Sequence, residues 1–372
     1  MDTLIFSASV GAGHDQVARA LQEEILRRHP TARVAIVDTL SYISPALNRV
    51  ILEGYLSMVR FTPKAYGKLY ASTEGDSSLD LAALPNRLLA RALSRVIKEY
   101  NPQAIICTHA FSSGLIGTLK HRRRIFHHLT TVITDFTVHP YWLHEGNDLY
   151  CIAHEALAFL MKELGVADEL VQATGIPIMS KFSRCLDKGQ ARQELGLLDQ
   201  PTVLVMGGSL GLGNIAAIVK QLDGASRDIQ ILVVTGRNEM LRGELERYRC
   251  NCSCRVFGFV DNVHQLMAAS DLVLTKPGGV TSAEALSQGK PIAIISPIPG
   301  QEDRNSNFLT EQGAAIRLFD DRYAGVKIAQ LLRDQERLDT LARMARRLAR
   351  PTAAKQVVDI IERQLSARRR EE

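Results

Sequence analysis

The chain is poor in the features that mark membrane-spanning proteins and secreted disulfide-rich proteins. Among 372 residues it has six cysteines and one tryptophan, and aromatic residues make up only 6%. Its longest apolar runs, such as TVLVM at 202–206, fall far short of the roughly 20 residues that a membrane helix needs. The first residues, MDTLIFSASVGAGHD, lack the zones of a signal peptide. We therefore expect a cytoplasmic protein with reduced thiols that does not span the bilayer.

Signals for metal ions and nucleic acids are also missing. No Asp-x-Asp pair is present to chelate a metal-bound diphosphate. Cys250, Cys252 and Cys254 alternate with other residues, whereas structural zinc sites separate their paired cysteines by two to four residues. We favour the interpretation that these cysteines simply lie at the start of a strand. We find no recognised nucleic-acid-binding motif, so we expect neither a metal cofactor nor a nucleic-acid partner.

Positive charge is in excess and is gathered in three runs. The formal net charge is +5 and the isoelectric point is about 8.9. The runs are HRRR at 121–124, RMARRLAR at 343–350 and ARRR at 367–370. Such runs are usually solvated faces, but they also suit anionic lipid headgroups.

Short β-branched runs alternate with helical patterns along the whole chain, which predicts parallel sheets covered on both faces. The rhythm runs from TLIFS at 3–7 to LYCIA at 149–153 and restarts with TVLVM at 202–206. Two doubly wound domains are the natural interpretation of a chain of this length. We predict an N-terminal domain over 1–175, a C-terminal domain over 176–350, and a helix with a basic tail over 351–372 that packs back on the first domain.

The first glycine loop delivers a titratable side chain to the end of a strand. Gly11 and Gly13 precede His14, and a helical stripe follows. A glycine-rich turn at a helix start can receive an anion or an oxygen-rich ligand. A functional imidazole is the favoured interpretation of His14, against a capping or packing role.

A second glycine loop, GGSLGLG at 207–213, lies between a strand and a helix. Its glycines let the backbone approach a ligand closely, and Ser209 adds a hydroxyl group. The loop lacks the Gly-Lys-Ser/Thr of a P-loop. We predict a diphosphate cradle that includes Gly207, Gly208 and Ser209, against the alternative of a structural turn.

The densest signal is the stretch at 269–305, where two loops follow strand ends. Open α/β sheets place their ligands at such ends. Glu284 lies on a helix that opens after the first loop, where it can accept hydrogen bonds from ribose hydroxyl groups. Mixed donors and acceptors in the second loop suit sugar hydroxyl groups. The candidate residues in this stretch are Lys276, Gly278, Gly279, Thr281, Glu284, Gln301, Glu302 and Asn305.

Five motifs in this order resemble the diacylglycerol glycosyltransferases, which include monogalactosyldiacylglycerol synthases and processive diacylglycerol beta-glucosyltransferases. The family is related to the transferase that adds N-acetylglucosamine to the cell-wall lipid precursor. The motifs are SVGAGH at 9–14, TDFTVHPYW at 134–142, GIP at 175–177, GGSLGLG at 207–213, and KPGG through PGQEDRN at 276–305. The resemblance implies a GT-B fold, with two Rossmann-like domains that face a central cleft. It also implies a UDP-sugar donor, a lipid acceptor and inversion at the anomeric carbon.

By position, the resemblance implies that Glu284 holds the uridine ribose and that Phe259 lies where backbone groups hold the uracil, unless its side chain is core. Gln301, Glu302 and Asn305 should meet the hexose. The first loop departs from the family's GGGH, because Ala12 stands at a normally glycine position. Without a metal ion, loop amides, the helix dipole and a basic side chain such as Lys276 would stabilise the leaving UDP.

The acceptor side is expected in the first domain. Residues 41–100 mix apolar and aromatic residues, among them Phe61, with basic ones, as an interfacial segment does; the alternative is ordinary helices on the sheet. His139 and Trp142 follow Asp135, and Trp142 suits either a lipid-facing position or a core anchor. We assign Gly11, Gly13, Phe61, His139 and Trp142 to the acceptor and membrane side.

These residues together predict an inverting transferase that moves a hexose from a UDP-sugar to the hydroxyl group of a diacylglycerol-type lipid. Glucose is favoured over galactose. His14 is the favoured general base, with Asp135 orienting it or taking the proton itself. The alternatives are a transferase for a polyprenyl-linked or other hydrophobic acceptor, a UDP-sugar 2-epimerase, and a non-catalytic binding protein. We expect the protein on the inner face of the cell membrane, bound peripherally to an anionic surface.

Overall fold

The computed structural model describes residues 1–8, 12–44, 86–211 and 213–371, together with residues 53, 54, 58, 62, 65, 67 and 68. The chain divides into two compact units. Unit 1 comprises Met1–Ser180, Pro299–Gln301 and Thr352–Glu372, and unit 2 comprises Lys181–Ile298 and Glu302–Pro351. In the described part of the chain no helix is long and apolar enough to cross a membrane.

Unit 1 is built on a parallel sheet of six strands in the order β2-β1-β3-β4-β5-β6. Most of these strands are buried along their whole length, as expected for apolar runs with both faces covered. The strands are β1 (Thr3–Ser7), β2 (Val34–Asp38), β3 (Ala104–Cys107), β4 (His128–Val132), β5 (Leu149–Ile152) and β6 (Val171–Ala173).

In the described part of unit 1, five helices precede β6, the last strand of its sheet. The first of them follows the first glycine loop directly and buries the stripe Val17, Leu21 and Ile25, whose four-residue spacing places them on one face. The helices are α1 (Ala12–Arg28), α2 (Thr39–Ile43), α3 (Asn86–Tyr100), α4 (Ala110–His121) and α5 (Ala158–Glu163).

Unit 2 repeats this plan with a second parallel sheet of six strands, in the order β12-β11-β10-β7-β8-β9. Cys252 is buried in its core, and Cys250 and Cys254 pack against that core. All six cysteines are free thiols. The strands are β7 (Thr202–Met206), β8 (Gln230–Val234), β9 (Ser253–Phe257), β10 (Leu272–Thr275), β11 (Ile292–Ile294) and β12 (Ala315–Arg317).

The helices of unit 2 alternate with its strands. Apolar side chains of α7 and α12 pack together in the core of this unit. The helices are α6 (Lys188–Glu194), α7 (Ile215–Ala225), α8 (Glu239–Arg247), α9 (Val263–Ala269), α10 (Gly279–Ser287), α11 (Gln301–Glu311), α12 (Ala324–Arg333) and α13 (Gln335–Leu348).

The last helix, α14 (Ala353–Glu371), belongs to unit 1 and packs against α1. Arg28 at the end of α1 forms ion pairs with Asp359 at 2.6 Å and with Glu362 at 2.9 Å. His29 Nε2 lies 2.7 Å from Glu362. Ion pairs therefore connect α1, near the start of the sequence, to α14, the last helix.

Asp148, just before β5, anchors the far end of α14. Its two carboxylate oxygens form ion pairs with Lys120 at the end of α4 and with Arg368 on α14. The backbone N–H of Leu129 also donates to it at 2.7 Å. Burial raises the pKa of Asp148, but these hydrogen bonds and charges outweigh burial and hold the pKa below its usual range.

We predict that Asp148→Asn lowers the free energy of unfolding by about 2–4 kcal/mol, because the largely buried Lys120 loses its partner. Arg368→Ala should cost about 1 kcal/mol or less, since that arginine is substantially exposed. The stability that Asp148 adds should disappear as the pH falls through its depressed pKa, because protonation removes both ion pairs. Denaturant titration of the three proteins at pH 7 and at pH 3 tests this ranking. Equal stabilities at pH 7 would contradict it.

Candidate active site

The candidate catalytic residues of unit 1 lie at the carboxyl edge of its sheet. β1 pairs with β2 on one side and with β3 on the other. The loops that follow β1 and β3 therefore diverge at the carboxyl end of the sheet, and this divergence creates the crevice where doubly wound sheets bind ligands. His14 lies in the first turn of α1, directly after the glycine loop that follows β1. Thr108 follows β3, and Thr134 and Asp135 follow β4.

The hydrogen bonds of His14 define the tautomer of its neutral ring. Nδ1 lies 2.8 Å from the carbonyl oxygen of Thr108 and 3.1 Å from the hydroxyl oxygen of Thr134. A carbonyl oxygen only accepts hydrogen bonds, so Nδ1 carries the proton and donates it. Nε2 of the neutral ring is then a hydrogen-bond acceptor. This form of imidazole can remove a proton from a hydroxyl group.

The surroundings of His14 favour the neutral ring. Burial lowers the pKa of His14 below its ordinary value of 6.5, and the negative charge of Asp135 and the hydrogen bond to Thr108 offset this only in part. The imidazole is therefore neutral near pH 7. Asp135 gives the ring a negative neighbour that would stabilise the imidazolium once a proton arrives.

A second imidazole lies beside the first. The ring of His109 meets the ring of His14 edge to face, with 4.6 Å between their centroids. Its Nδ1 accepts the backbone N–H of Phe111 at 3.2 Å and so caps α4. Burial and the proximity of His14 hold the pKa of His109 well below 6.5. A neutral His109 adds no positive charge next to the candidate base.

A buried polar network connects β4 to the loop before β5. The hydroxyl group of Thr131 donates to Asn147 Oδ1 at 2.5 Å. The Asn147 amide donates to the Tyr150 hydroxyl oxygen at 3.0 Å, and that hydroxyl group donates to the carbonyl oxygen of His144 at 2.8 Å. Satisfied buried networks of this kind restrict a loop to one conformation.

In unit 2, the second glycine loop requires glycine for its backbone geometry. Gly208, Gly211 and Gly213 have φ angles of +71°, +56° and +105°, a region that side chains with a Cβ rarely enter. A Cβ at Gly211 would also lie 2.3 Å from the carbonyl oxygen of Thr235. The Asn238 amide donates to the Gly211 carbonyl oxygen at 3.1 Å and so holds the loop against the end of β8.

The loop after β10 lies beside the second glycine loop, because β10 pairs with β7 at the switch point of this sheet. Gly278 is the N-cap residue of α10 and places no side chain on the first N–H groups of that helix. These N–H groups and the helix dipole favour an anion. The carboxyl ends of β7 and β10 therefore carry the parts of a phosphate-binding site.

Lys276 and Glu302 form a largely buried ion pair with a separation of 3.1 Å. The other carboxylate oxygen of Glu302 accepts the backbone N–H of Ile298 at 2.7 Å. Lys276 is therefore neutralised by Glu302 in this structure, and the backbone amides supply positive potential at the end of β10.

Glu284 lies on α10, three residues after Thr281, so the two share one face of the helix. Burial raises the pKa of Glu284 to about 8, and the positive charge of Lys181 opposes that shift. Hydrogen-bond donors supplied by a ligand would favour the ionised form. A carboxyl group in this state suits the paired hydroxyl groups of a ribose.

Phe259 is 55% exposed, so the interpretation of its side chain as core is wrong. The guanidinium carbon of Arg237 lies 5.3 Å from the centroid of its ring. The ring follows β9 at the same edge of the sheet as the glycine loop, which follows β7. Both units thus place their candidate residues at the carboxyl ends of their strands.

Comparison with known proteins connects these sites to one family. The protein-family model described as monogalactosyldiacylglycerol (MGDG) synthase matches residues 14–178. The family model of the glycosyltransferase family 28 C-terminal domain matches residues 202–364. The chain is 29% identical over 362 residues to the processive diacylglycerol beta-glucosyltransferase of Bacillus cereus (strain AH187). That match covers 96% of this chain and 92% of the relative.

Two solved structures share the fold. MurG of Acinetobacter baumannii has a TM-score of 0.61 and 16% identity, over 97% of this chain and 99% of that one. HepE of Anabaena, in complex with UDP-glucose, has a TM-score of 0.56 and 16% identity, over the whole of both chains.

The chain is a glycosyltransferase that resembles the diacylglycerol glycosyltransferases along nearly its whole length. The two family models together cover both units. The resemblance found in the sequence motifs and the predicted GT-B fold are thereby confirmed.

The structure corrects one interpretation of the acceptor side of this transferase. Trp142 is only 5% exposed and His139 is also buried, so neither side chain faces a lipid surface. His139 Nδ1 accepts the backbone N–H of Tyr141 at 3.2 Å and caps a short helix over Pro140–Trp142. Trp142 is the packing anchor of that segment, with its ring 6.3 Å from the ring of His14. Gly13 lies in the first turn of α1, whereas Gly11, Phe61 and most of residues 41–100 lie outside the described residues.

Asn305 also has a different place from the one expected. Its side chain is fully buried, and its amide donates to the carbonyl oxygen of Pro277 at 3.0 Å. A side chain in this position holds the loop after β10 and does not meet a hexose. Gln301 and Glu302, by contrast, begin α11 and are only partly buried.

Sequence reasoning missed the groups that orient His14. The carbonyl oxygen of Thr108 and the hydroxyl group of Thr134 are both bonded to Nδ1. Thr134 was within reach of the sequence, because it opens the motif TDFTVHPYW. Every residue type has a backbone carbonyl group, so the sequence could not indicate that the carbonyl oxygen of Thr108 binds His14.

We predict that Glu284→Gln stabilises the transferase more at pH 8 than at pH 5. A carboxyl group with a pKa of about 8 in the folded protein ionises first in the unfolded chain, so stability falls as the pH rises from about 4.5 towards 8. Glutamine removes this loss, which is at most about 1.4 kcal/mol for each pH unit. Melting temperatures of both proteins at the two pH values measure the effect. An equal difference at pH 5 and pH 8 would show that the pKa of Glu284 is not raised.

Proposed function

We propose that this transferase moves a hexose from a UDP-sugar to the hydroxyl group of a diacylglycerol-type lipid, with inversion, and forms a β-glycolipid. The observation that carries the proposal is the state of His14. Nδ1 of His14 donates a hydrogen bond to the carbonyl oxygen of Thr108, so Nε2 of the neutral ring can accept the proton of an alcohol. An alcohol needs such a base as it attacks, because it is a weak acid.

Inversion needs one base and one stabilised leaving group. The acceptor oxygen forms a bond to the anomeric carbon while Nε2 of His14 takes its proton. The bond from that carbon to the diphosphate oxygen breaks, and its electron pair leaves with UDP. Asp135 then lies beside a positively charged imidazolium and stabilises it.

Unit 2 supports the donor side of the proposal. The second glycine loop and the start of α10 present backbone N–H groups at neighbouring strand ends, which suits a diphosphate. We assign Glu284 on α10 to the ribose hydroxyl groups. The exposed ring of Phe259 follows β9, where backbone groups would hold the uracil. We propose that amides and the helix dipole stabilise the leaving UDP without a divalent metal ion.

The choice of hexose and acceptor follows the relatives. The Bacillus cereus relative is named a diacylglycerol beta-glucosyltransferase, which supports glucose over galactose and a lipid with a free hydroxyl group. We further propose that the enzyme works peripherally on the inner face of the cell membrane, because a diacylglycerol resides in the bilayer and the chain carries basic runs.

Incubation with diacylglycerol and either UDP-glucose or UDP-galactose, followed by identification of the lipid products, tests this proposal. We expect a β-glucosyl lipid and UDP release that depends on added lipid. Conversion of the UDP-sugar without lipid would support the 2-epimerase alternative. Activity only with a polyprenyl-linked acceptor would support the other transferase.

We predict that His14→Ala lowers turnover by roughly 10²-fold or more, the worth of general base catalysis, with little change in UDP affinity. Because the pKa of His14 is lowered, wild-type turnover should decline only below the ordinary titration range of histidine. The measurements are steady-state rates from pH 5 to pH 9 and UDP binding by calorimetry.

Two matched variants separate the roles near the base. Thr134→Val removes one hydrogen-bond partner of Nδ1 but keeps the shape of the side chain, so it should lower turnover far less than His14→Ala. Asp135→Asn should leave the base in place but lower turnover. If His14→Ala retains most of its turnover while Asp135→Asn does not, Asp135 takes the proton directly.

We also predict that Glu284→Ala weakens UDP binding by roughly 1.5–3 kcal/mol, the range for losing hydrogen bonds to a charged group. Unlike wild-type binding, binding by the variant should lack the proton release that comes from Glu284, because ribose donors favour the ionised carboxylate. Calorimetry at pH 7 in two buffers with different ionisation enthalpies measures both quantities. Unchanged affinity would remove Glu284 from the donor site.

A further inference from the structure

Three histidines cap helices at the carboxyl edge of the unit 1 sheet. His109 follows β3, His139 follows β4 and His154 follows β5. In each of them Nδ1 accepts the backbone N–H of the residue two positions later, at 3.2, 3.2 and 3.1 Å. The ring of His109 also meets the ring of the candidate base His14, with 4.6 Å between their centroids. The cap on α4 therefore acts on an imidazole that lies beside the base.

The cap fixes the tautomer of His109. A ring nitrogen that accepts a hydrogen bond carries no proton, so the proton of the neutral ring lies on Nε2. His14 is the opposite case, because its Nδ1 donates to the carbonyl oxygen of Thr108 at 2.8 Å and leaves Nε2 as the acceptor. The two neighbouring rings thus carry one N–H donor and one acceptor nitrogen.

The Nε2–H group of His109 has no hydrogen-bond partner among the described residues. The ring is partly exposed. In that part of the chain, Nε2 of His109 is not one of the fully buried side-chain nitrogen atoms that lack a partner, whereas Nδ1 of His128 is. A ligand that approaches His14 can therefore reach this donor, and an acceptor oxygen on the ligand would satisfy it.

We propose that His109 binds the ester carbonyl oxygen that lies next to the free hydroxyl group of a diacylglycerol. A carbonyl oxygen only accepts hydrogen bonds, so it matches Nε2–H of His109, whereas the hydroxyl group can donate its proton to Nε2 of His14. The two rings together distinguish the two oxygens. The inference rests on the proposed function and names a residue that selects the acceptor.

The reacting oxygen is a poorer partner for the same N–H group. During transfer this oxygen gives its proton to His14 and a lone pair to the anomeric carbon. A hydrogen bond donated to that lone pair would oppose bond formation. The neighbouring ester takes no part in the bonds that form and break, so a hydrogen bond to its carbonyl oxygen can orient the lipid throughout the reaction.

Asparagine and glutamine separate the cap from the proposed contact. Asparagine is a strong N-cap residue, so His109→Asn keeps the cap of α4, but its short side chain has no donor at the position of Nε2. The amide nitrogen of the longer glutamine reaches about as far as Nε2, so His109→Gln keeps a donor and loses the cap. His154→Asn is the matched control, because His154 caps its short helix in the same way and follows β5, two strands away from β3.

The assay compares dioleoylglycerol with its diether analogue, which lacks both carbonyl oxygens, in neutral detergent micelles with UDP-glucose. We expect the wild type and His154→Asn to prefer the ester by about tenfold in kcat/KM, near the upper worth of one hydrogen bond. His109→Asn should lose this preference through a higher KM for the ester, with little change in kcat and in melting temperature. His109→Gln should melt at a lower temperature and still keep most of the preference.

The outcomes separate this inference from the proposed function. If the wild type glycosylates neither lipid, the proposed function is wrong and the assignment of His109 is wrong as well. If the wild type uses both lipids equally well, or if His109→Asn keeps the preference for the ester, His109 does not bind the carbonyl oxygen. An equal loss of activity on both lipids in His109→Asn would place the N–H group on the hydroxyl oxygen, which also contradicts the assignment.

Discussion

The parallel pairing of β1 with both β2 and β3 is the constraint on which the candidate catalytic site of unit 1 depends. Because β1 has neighbours on both sides, the chain must leave it in one direction and later return on the other. That reversal opens a crevice at the carboxyl ends of β1 and β3. The loop after β1 supplies His14, and the loop after β3 supplies the carbonyl oxygen that orients it.

The same constraint acts in unit 2 with different side chains. β7 lies between β8 and β10, so the glycine loop and the start of α10 become neighbours. Here the loops contribute backbone N–H groups, and the glycines make that approach sterically allowed. One architecture thus positions a candidate base in unit 1 and a candidate phosphate-binding loop in unit 2, and the difference lies in the residues after each strand.

The sequence predicted the two sheets and the strand-end positions of His14 and of the two candidate donor loops, because buried strands and glycine turns leave local patterns. It did not predict burial of Asn305, and it left Trp142 open between a lipid-facing position and a core anchor. The residue type in a motif is the same whether the side chain meets a ligand or supports a loop. The link between the turn at 121–124 and the tail at 367–370 was also beyond the sequence. It depends on Asp148, which gains both partners only when α14 folds onto unit 1.

The candidate donor site illustrates why a binding site is not optimised for stability alone. Burial disfavours the charged form of Glu284 and raises its pKa to about 8, so near neutral pH the empty site carries an electrostatic cost that a glutamine would avoid. A ligand that offers two hydroxyl donors removes this cost, because hydrogen bonds favour the carboxylate. Part of the affinity for a ribose then comes from relief of an unfavourable state in the free protein. Replacement of Glu284 should therefore raise the stability of the free protein and weaken donor binding.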